Sequence, residues 1–149
     1  MSFGFKFKET MRGNYFMLAT PTDERAMSFT IEVKALGLRS FARDPVARIE
    51  GRASLEGFAD DVALEGTLAF RLHGQQRLIY DFTFNDNDGR PHRFRGQKDL
   101  TPLAPVASVT TLPGTIYEGT TREVGRATLR FDLRSDFRRL ARSLRLVRE

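Results

Sequence analysis

Cysteine and tryptophan are both absent from this 149-residue chain, which has only two histidines and three tyrosines. Without cysteine there is no disulfide framework, thiolate zinc site, iron–sulfur cluster or cysteine nucleophile. His73 and His92 each lack a histidine at i+4, so a metal site would depend on carboxylates, and none is expected. No apolar run approaches the roughly 18 residues of a membrane span. The N-terminus, Met1 to Lys8, alternates apolar and polar residues and lacks the continuous apolar block of a signal peptide. Neither a G-x-S-x-G nor a G-x-G-x-x-G motif occurs, and there is no P-loop lysine. These absences argue against a nucleotide cofactor and a standard hydrolase nucleophile. They point to a cytoplasmic domain with no cofactor.

What is present is a globular balance, 40% hydrophobic and 29% charged, enough for one core in a single domain spanning residues 1–149. The net charge of +5 is unevenly placed. Nine arginines and four acids lie from Arg122 onward, so the first 121 residues are neutral and the tail carries the excess. That tail could face an anion. However, Arg126, Arg130 and Arg134 fall on the side opposite the aromatics, whereas nucleic-acid surfaces interleave the two. A solvated basic face is the better reading, with no specific nucleic-acid partner.

Period-2 alternation dominates the chain. Phe3, Phe5 and Phe7 share one face, as do Phe29, Ile31 and Val33. Ala47, Ile49, Gly51, Ala53 and Leu55 form a third apolar face, and Val62, Leu64, Leu68, Phe70 and Leu72 a fourth. Leu78, Tyr80, Phe82 and Phe84 follow, then a shorter strand around Arg93–Lys98. Another lies between Val106 and Tyr117, interrupted by Pro113-Gly114. Ala127, Leu129, Phe131 and Leu133 give the clearest alternation. Gly57 to Asp61, Gly74 to Gln76 and Asp86 to Gly89 read as hairpin connections. Asp86-Asn87-Asp88-Gly89 is not a calcium loop, because position twelve is Gln97 and strands flank it. About eight long strands with short connections suit an all-β, up-and-down antiparallel barrel of the lipocalin-like kind better than a sandwich.

Two helices break the pattern. Leu38–Ala42 forms a short turn ended by Asp44-Pro45. Near the C-terminus, Phe137, Leu140, Ala141 and Leu144 fall at i, i+3, i+4 and i+7, with Arg138, Arg139, Arg142 and Arg145 opposite. That spacing predicts an amphipathic helix capped by Ser135 or Asp136.

Strand parity singles out three polar residues. Glu9 shares a face with Phe3, Phe5 and Phe7. Lys98 shares one with Phe94 and Gly96, and Tyr80 lies between Leu78 and Phe82. If these faces line a barrel, all three point inward, and a buried charge calls for an opposite partner. The bland alternative places Glu9 and Lys98 at strand ends, where the barrel opens to water.

Several short motifs, in order, resemble a family. Phe7-Lys8-Glu9-Thr10-Met11-Arg12-Gly13 resembles the F-x-E-x-M-x-G opening of an accessory domain found with bacterial cholesterol-oxidase-like oxidoreductases of the glucose–methanol–choline class. Phe41, Asp44, Pro45 and Gly51 look like its F-x-x-D-P…G segment, and Glu65-Gly66 with Leu68 and Phe70 like its next strand. Leu78, Tyr80, Phe84, Asp86, Gly89, Gly96 and Lys98 resemble its Y-x-x-x-F-x-D-x-x-G…G-x-K stretch. Thr110-Thr111-Leu112 and Asp136-Phe137 with Leu140 resemble its T-T-L and D-F-x-x-x-L. The family's Trp is missing, Ser108 stands in its Asp place, and the flavin-binding part is absent, so no flavin role carries over. The resemblance implies an accessory module of enzymes acting on sterol-like or other lipid substrates.

Together these readings favour a small barrel binding an apolar or amphipathic, sterol- or lipid-like ligand, with Glu9, Tyr80, Phe82 and Lys98 as ligand-binding residues. The alternative is a non-catalytic module that docks on a partner oxidoreductase or on its own copy as a homodimer. An enzyme using Glu9, Lys98 or Tyr80 for acid–base work ranks third.

Overall fold

The computed structural model describes residues 3–35, 37–71, 74, 76–99, 111–131 and 145–148. Among these, β1 (Phe3–Met17), β2 (Arg25–Ala35), α1 (Leu38–Arg43), β3 (Val46–Leu55), β4 (Ala59–Arg71), β5 (Arg77–Asn85), β6 (Pro91–Asp99), β7 (Thr111–Glu118), β8 (Arg122–Arg130) and β9 (Arg145–Arg148) follow in order. Strands β1 to β8 pair antiparallel with their neighbours in chain order. β1 also pairs with β8, which closes the sheet into an eight-stranded lipocalin-like barrel. Closure satisfies the backbone edges that an open sheet would expose.

β1 makes the closure possible by its length. Residues Phe5–Tyr15 pair with β2 on one side, and Arg12–Met17 pair with β8 on the other. The strand continues well past Phe7, because Glu9, Met11, Gly13 and Tyr15 keep the inward parity. Gly13 lies where the chains crowd: a Cβ there would sit 1.9 Å from the Thr128 carbonyl oxygen.

On the β8 side, the first residues of β1 are taken up by β9, with Lys6 opposite Arg145 and Phe3 opposite Arg148. Arg145, expected on the polar face of a helix, is therefore a strand residue. The start of β1, not paired with β8, offers residues 145–148 a ladder. The predicted helix core of Phe137, Leu140 and Leu144 lies outside the described residues, as does His73.

The two ends of the barrel differ. At one end the connections are tight, and Gly57, Gly89 and Gly119 adopt positive φ as their turns require. Asp86 is the anchor of its own turn. Its Oδ1 accepts the backbone N–H groups of Asp88 and Arg90, each at 2.9 Å, as an aspartate-led turn does. Buried His92 packs edge-on against Phe58 at 4.8 Å, plugging this end. Tyr15 closes it further by donating its hydroxyl to the Glu56 carbonyl at 2.6 Å.

The middle is filled by side chains. Phe29, Phe82 and Phe94 are nearly fully buried and meet with ring centroids 4.9–6.1 Å apart. Met11, Met27, Ile31, Ile49, Leu68, Leu112 and Ile116 surround them. Pro113-Gly114 does not interrupt β7. Pro113 sits just beyond the last β6–β7 pair, Gly96 with Gly114, where its missing N–H is not needed. Gly114 gives room to the Phe94 ring, which would come within 2.4 Å of a Cβ there.

Candidate functional site at the open end

The other end is built differently. The inward residues of its strands are apolar but only half-buried: Phe5 and Phe7 on β1, Phe70 on β4 and Leu78 on β5. Helix α1 spans this end. Its Phe41 meets Phe5 edge-on at 5.2 Å and Phe70 edge-on at 5.3 Å, and so bridges β1 to β4. Gly37, with φ 78°, turns the chain into the helix.

Beneath this aromatic collar lie three polar side chains. β1 stands across the ring from β5 and β6, and Glu9 reaches over the interior to both. Tyr80 donates its hydroxyl to Glu9 Oε1 at 2.6 Å. Lys98 Nζ stands 3.7 Å from the same oxygen, with the Lys98 side chain 3% exposed and that of Glu9 10%. Lys98 Nζ also lies 5.1 Å from the Tyr80 ring centroid and 5.9 Å from that of Phe131, within reach of a cation–π attraction. The barrel register aligns these groups, since Tyr80 pairs with Gly96 and Leu78 with Lys98. Gly96 makes room for Leu112 and Phe94, whose side chains would lie 2.9–3.0 Å from a Cβ there.

Burial sets the electrostatics. Tyr80 is fully buried, and desolvation raises its pKa well above 10, with the Glu9 charge and hydrogen bond acting the same way. The phenol is thus held neutral as a donor. Desolvation lowers the Lys98 pKa, against the opposing pull of Glu9. The site therefore combines an acceptor, a neutral donor and an amine under strain to lose its proton.

Parity alone pointed to Glu9, Tyr80 and Lys98 as inward groups, and the barrel brings all three together. Phe82 lies deeper, stacked on Phe94, and forms part of the floor. Phe41 and Phe131 escaped the sequence reading. Phe41 sits in a helix whose placement over the barrel end is tertiary. Phe131 reads in the sequence only as one more apolar strand residue.

Hollows lie on the outer face of the barrel. A groove of about 790 Å³ on the outer face of β2 to β5 is lined by Glu32, Glu50 and Glu65 among others. Among the described residues no group of acidic or histidine side chains is arranged to hold a metal. No helix of the described residues is long and apolar enough to cross a membrane. Comparison with known protein families, curated proteins and solved structures finds no match to this chain.

Proposed function

We propose that the open end of the barrel receives an amphipathic ligand, whose apolar body lies among Phe5, Phe7, Phe41 and Phe70 and whose polar head meets Glu9, Tyr80 and Lys98. The observation that carries this reading is a nearly dry hydrogen-bonded ion pair directly below half-buried phenylalanines. Binding sites commonly have this composition: an apolar lining with a few convergent polar groups. Phe82 serves as the floor that stops the ligand. A hydroxyl or carboxylate head suits the donors and the acceptor, and a sterol or long-chain lipid supplies such a head. The resemblance to the oxidoreductase accessory module favours the same ligand class.

The test is a binding series by native mass spectrometry with decane, 1-decanol, decanoate and cholesterol. The polar-headed compounds should bind several-fold to about tenfold tighter than decane, the worth of one net hydrogen bond. Glu9→Gln should shrink the gap between 1-decanol and decane. Equal binding of all four, or none, overturns the reading.

One observation favours the alternative of a docking module. Leu146 on β9 is 76% exposed, unusual for a large apolar side chain here. A second copy of the chain is the simplest cover for it. Light scattering of the wild type against Leu146→Glu decides: a dimer lost on substitution supports the module, a monomer in both removes it.

A further inference from the structure

We infer that Lys98 is a covalent anchor, forming an imine with an apolar aldehyde that enters the open end of the barrel. This rests on the reading that the open end takes an amphipathic ligand, and it assigns the reactive atom. Lys98 Nζ is the basic group at the bottom of the aromatic collar, enclosed by Tyr80, Phe131 and Glu9. A desolvated lysine amine is a nucleophile toward carbonyl carbon, which an exposed, hydrated ammonium is not. Its lowered pKa agrees with the geometry.

The partners needed for the reaction are also in place. Glu9 Oε1, 3.7 Å from Nζ, takes a proton from the ammonium. The freed lone pair forms the C–N bond, and the carbonyl π pair moves to oxygen. The Tyr80 hydroxyl, hydrogen-bonded to Glu9, is placed to steady that oxygen as charge develops. Glu9 then returns its proton to that oxygen, giving a carbinolamine, takes a second proton from the nitrogen and delivers it to the hydroxyl, which leaves as water while the freed nitrogen lone pair closes the C=N bond. Ammonium and aldehyde thus give protonated imine and one water, with no net proton and no redox change. The protonated imine carries the positive charge that the ammonium had, so Glu9 regains its ion-pair partner in the product. An aldehyde is the class that fits, because its oxygen is lost while its apolar chain stays in the collar.

The sequence makes the test clean, since the chain has four lysines: Lys6, Lys8, Lys34 and Lys98. Lys6, Lys8 and Lys34 lie on outward parities, and serve as internal controls. The wild-type protein is treated with decanal and sodium cyanoborohydride, then digested and mapped by mass spectrometry. Reduced decyl adduct at Lys98 should exceed that at each other lysine by on the order of tenfold, as proximity and desolvation dictate. Excess 1-decanol, which binds but cannot condense, should suppress the Lys98 label and leave the other lysines unchanged. If 1-decanol binds but Lys98 is labelled no faster than Lys6 or Lys34, the covalent anchor is wrong and the binding reading survives. If 1-decanol neither binds nor protects, the binding reading itself falls, and the anchor with it. Lys98→Arg, which keeps the charge, should abolish the preferential label; its thermal melt shows whether the fold is intact. No variant is needed for the primary result.

Discussion

Lys98 and Glu9 hold one another in place at a cost that only the pair can offset. A buried ion left alone is more damaging than the absence of both partners. Lys98→Met should therefore destabilise the barrel by about 3 kcal/mol, by leaving the Glu9 carboxylate without its cation. The double variant Glu9→Gln with Lys98→Met should recover most of that loss, because glutamine still accepts the Tyr80 hydroxyl. A double-mutant cycle in urea measures the difference. The same groups give opposite signs of pH dependence. For Lys98, desolvation lowers the folded pKa below 10.5, despite the pull of Glu9. Between those two values the unfolded chain binds more protons, so stability rises with pH. For Tyr80, desolvation first and Glu9 second raise the folded pKa well above 10. The stabilisation it gives is complete below pH 10 and is lost as pH climbs beyond it. Tyr80→Phe should flatten the alkaline loss, with the part due to Tyr15, which burial also raises, remaining. Urea melts between pH 8 and about pH 11 read both slopes.

The strands carry a tension on their outer face. Glu32 stands opposite Glu50, and Glu50 opposite Glu65, across three neighbouring strands. Among the described residues none of the three has an ion-pair partner, and like charges directly opposite one another destabilise a sheet. Glu50→Lys turns two repulsions into two attractions and should stabilise by roughly 0.2–1 kcal/mol per pair. The gain should shrink in high salt, because the site is exposed; denaturant melts at two ionic strengths check it. The alternation that placed these glutamates outward also made the barrel strands legible, since burial on one face forces period 2. The inward Glu9, Tyr80 and Lys98 were legible for the same reason: parity assigns a face whatever the residue's polarity. Other elements resisted. The apolar alternation of β1 is clear only to Phe7 and its parity to Glu9, while the strand runs on to Met17. Pro113-Gly114 reads as a break because local propensity ignores where a ladder stops. Arg145 satisfies helical spacing, while its strand pairing depends on Lys6, distant in sequence and near only after closure. The seat of α1 over the collar is likewise a product of tertiary packing, which no periodicity encodes.

At the scale of the molecule, the barrel separates a plugged end that holds it together from a collared end, the one proposed to take a ligand. Phe58 and His92 close the first, edge to face at 4.8 Å. Phe41 caps the second through its contacts with Phe5 and Phe70. Between them Phe82, Phe29 and Phe94 form a packed block. Truncating Phe82 to Ala in that block should cost about 3–5 kcal/mol, as a fully buried phenylalanine does. Phe41, half-buried on a six-residue helix, should cost far less. A ligand that binds only the folded state adds stability by mass action, about 2.7 kcal/mol at a hundredfold excess over Kd. Calorimetric melts with 1-decanol can therefore assign each end its work. Phe58→Ala should lower the melting temperature of the free protein and leave the ligand-induced rise as large as in the wild type. Phe41→Ala should do the reverse, melting close to the wild type when free and losing most of the rise. A ligand-induced rise that Phe41→Ala leaves intact and Phe58→Ala removes would place the binding end at the plugged side and overturn this assignment of the two ends.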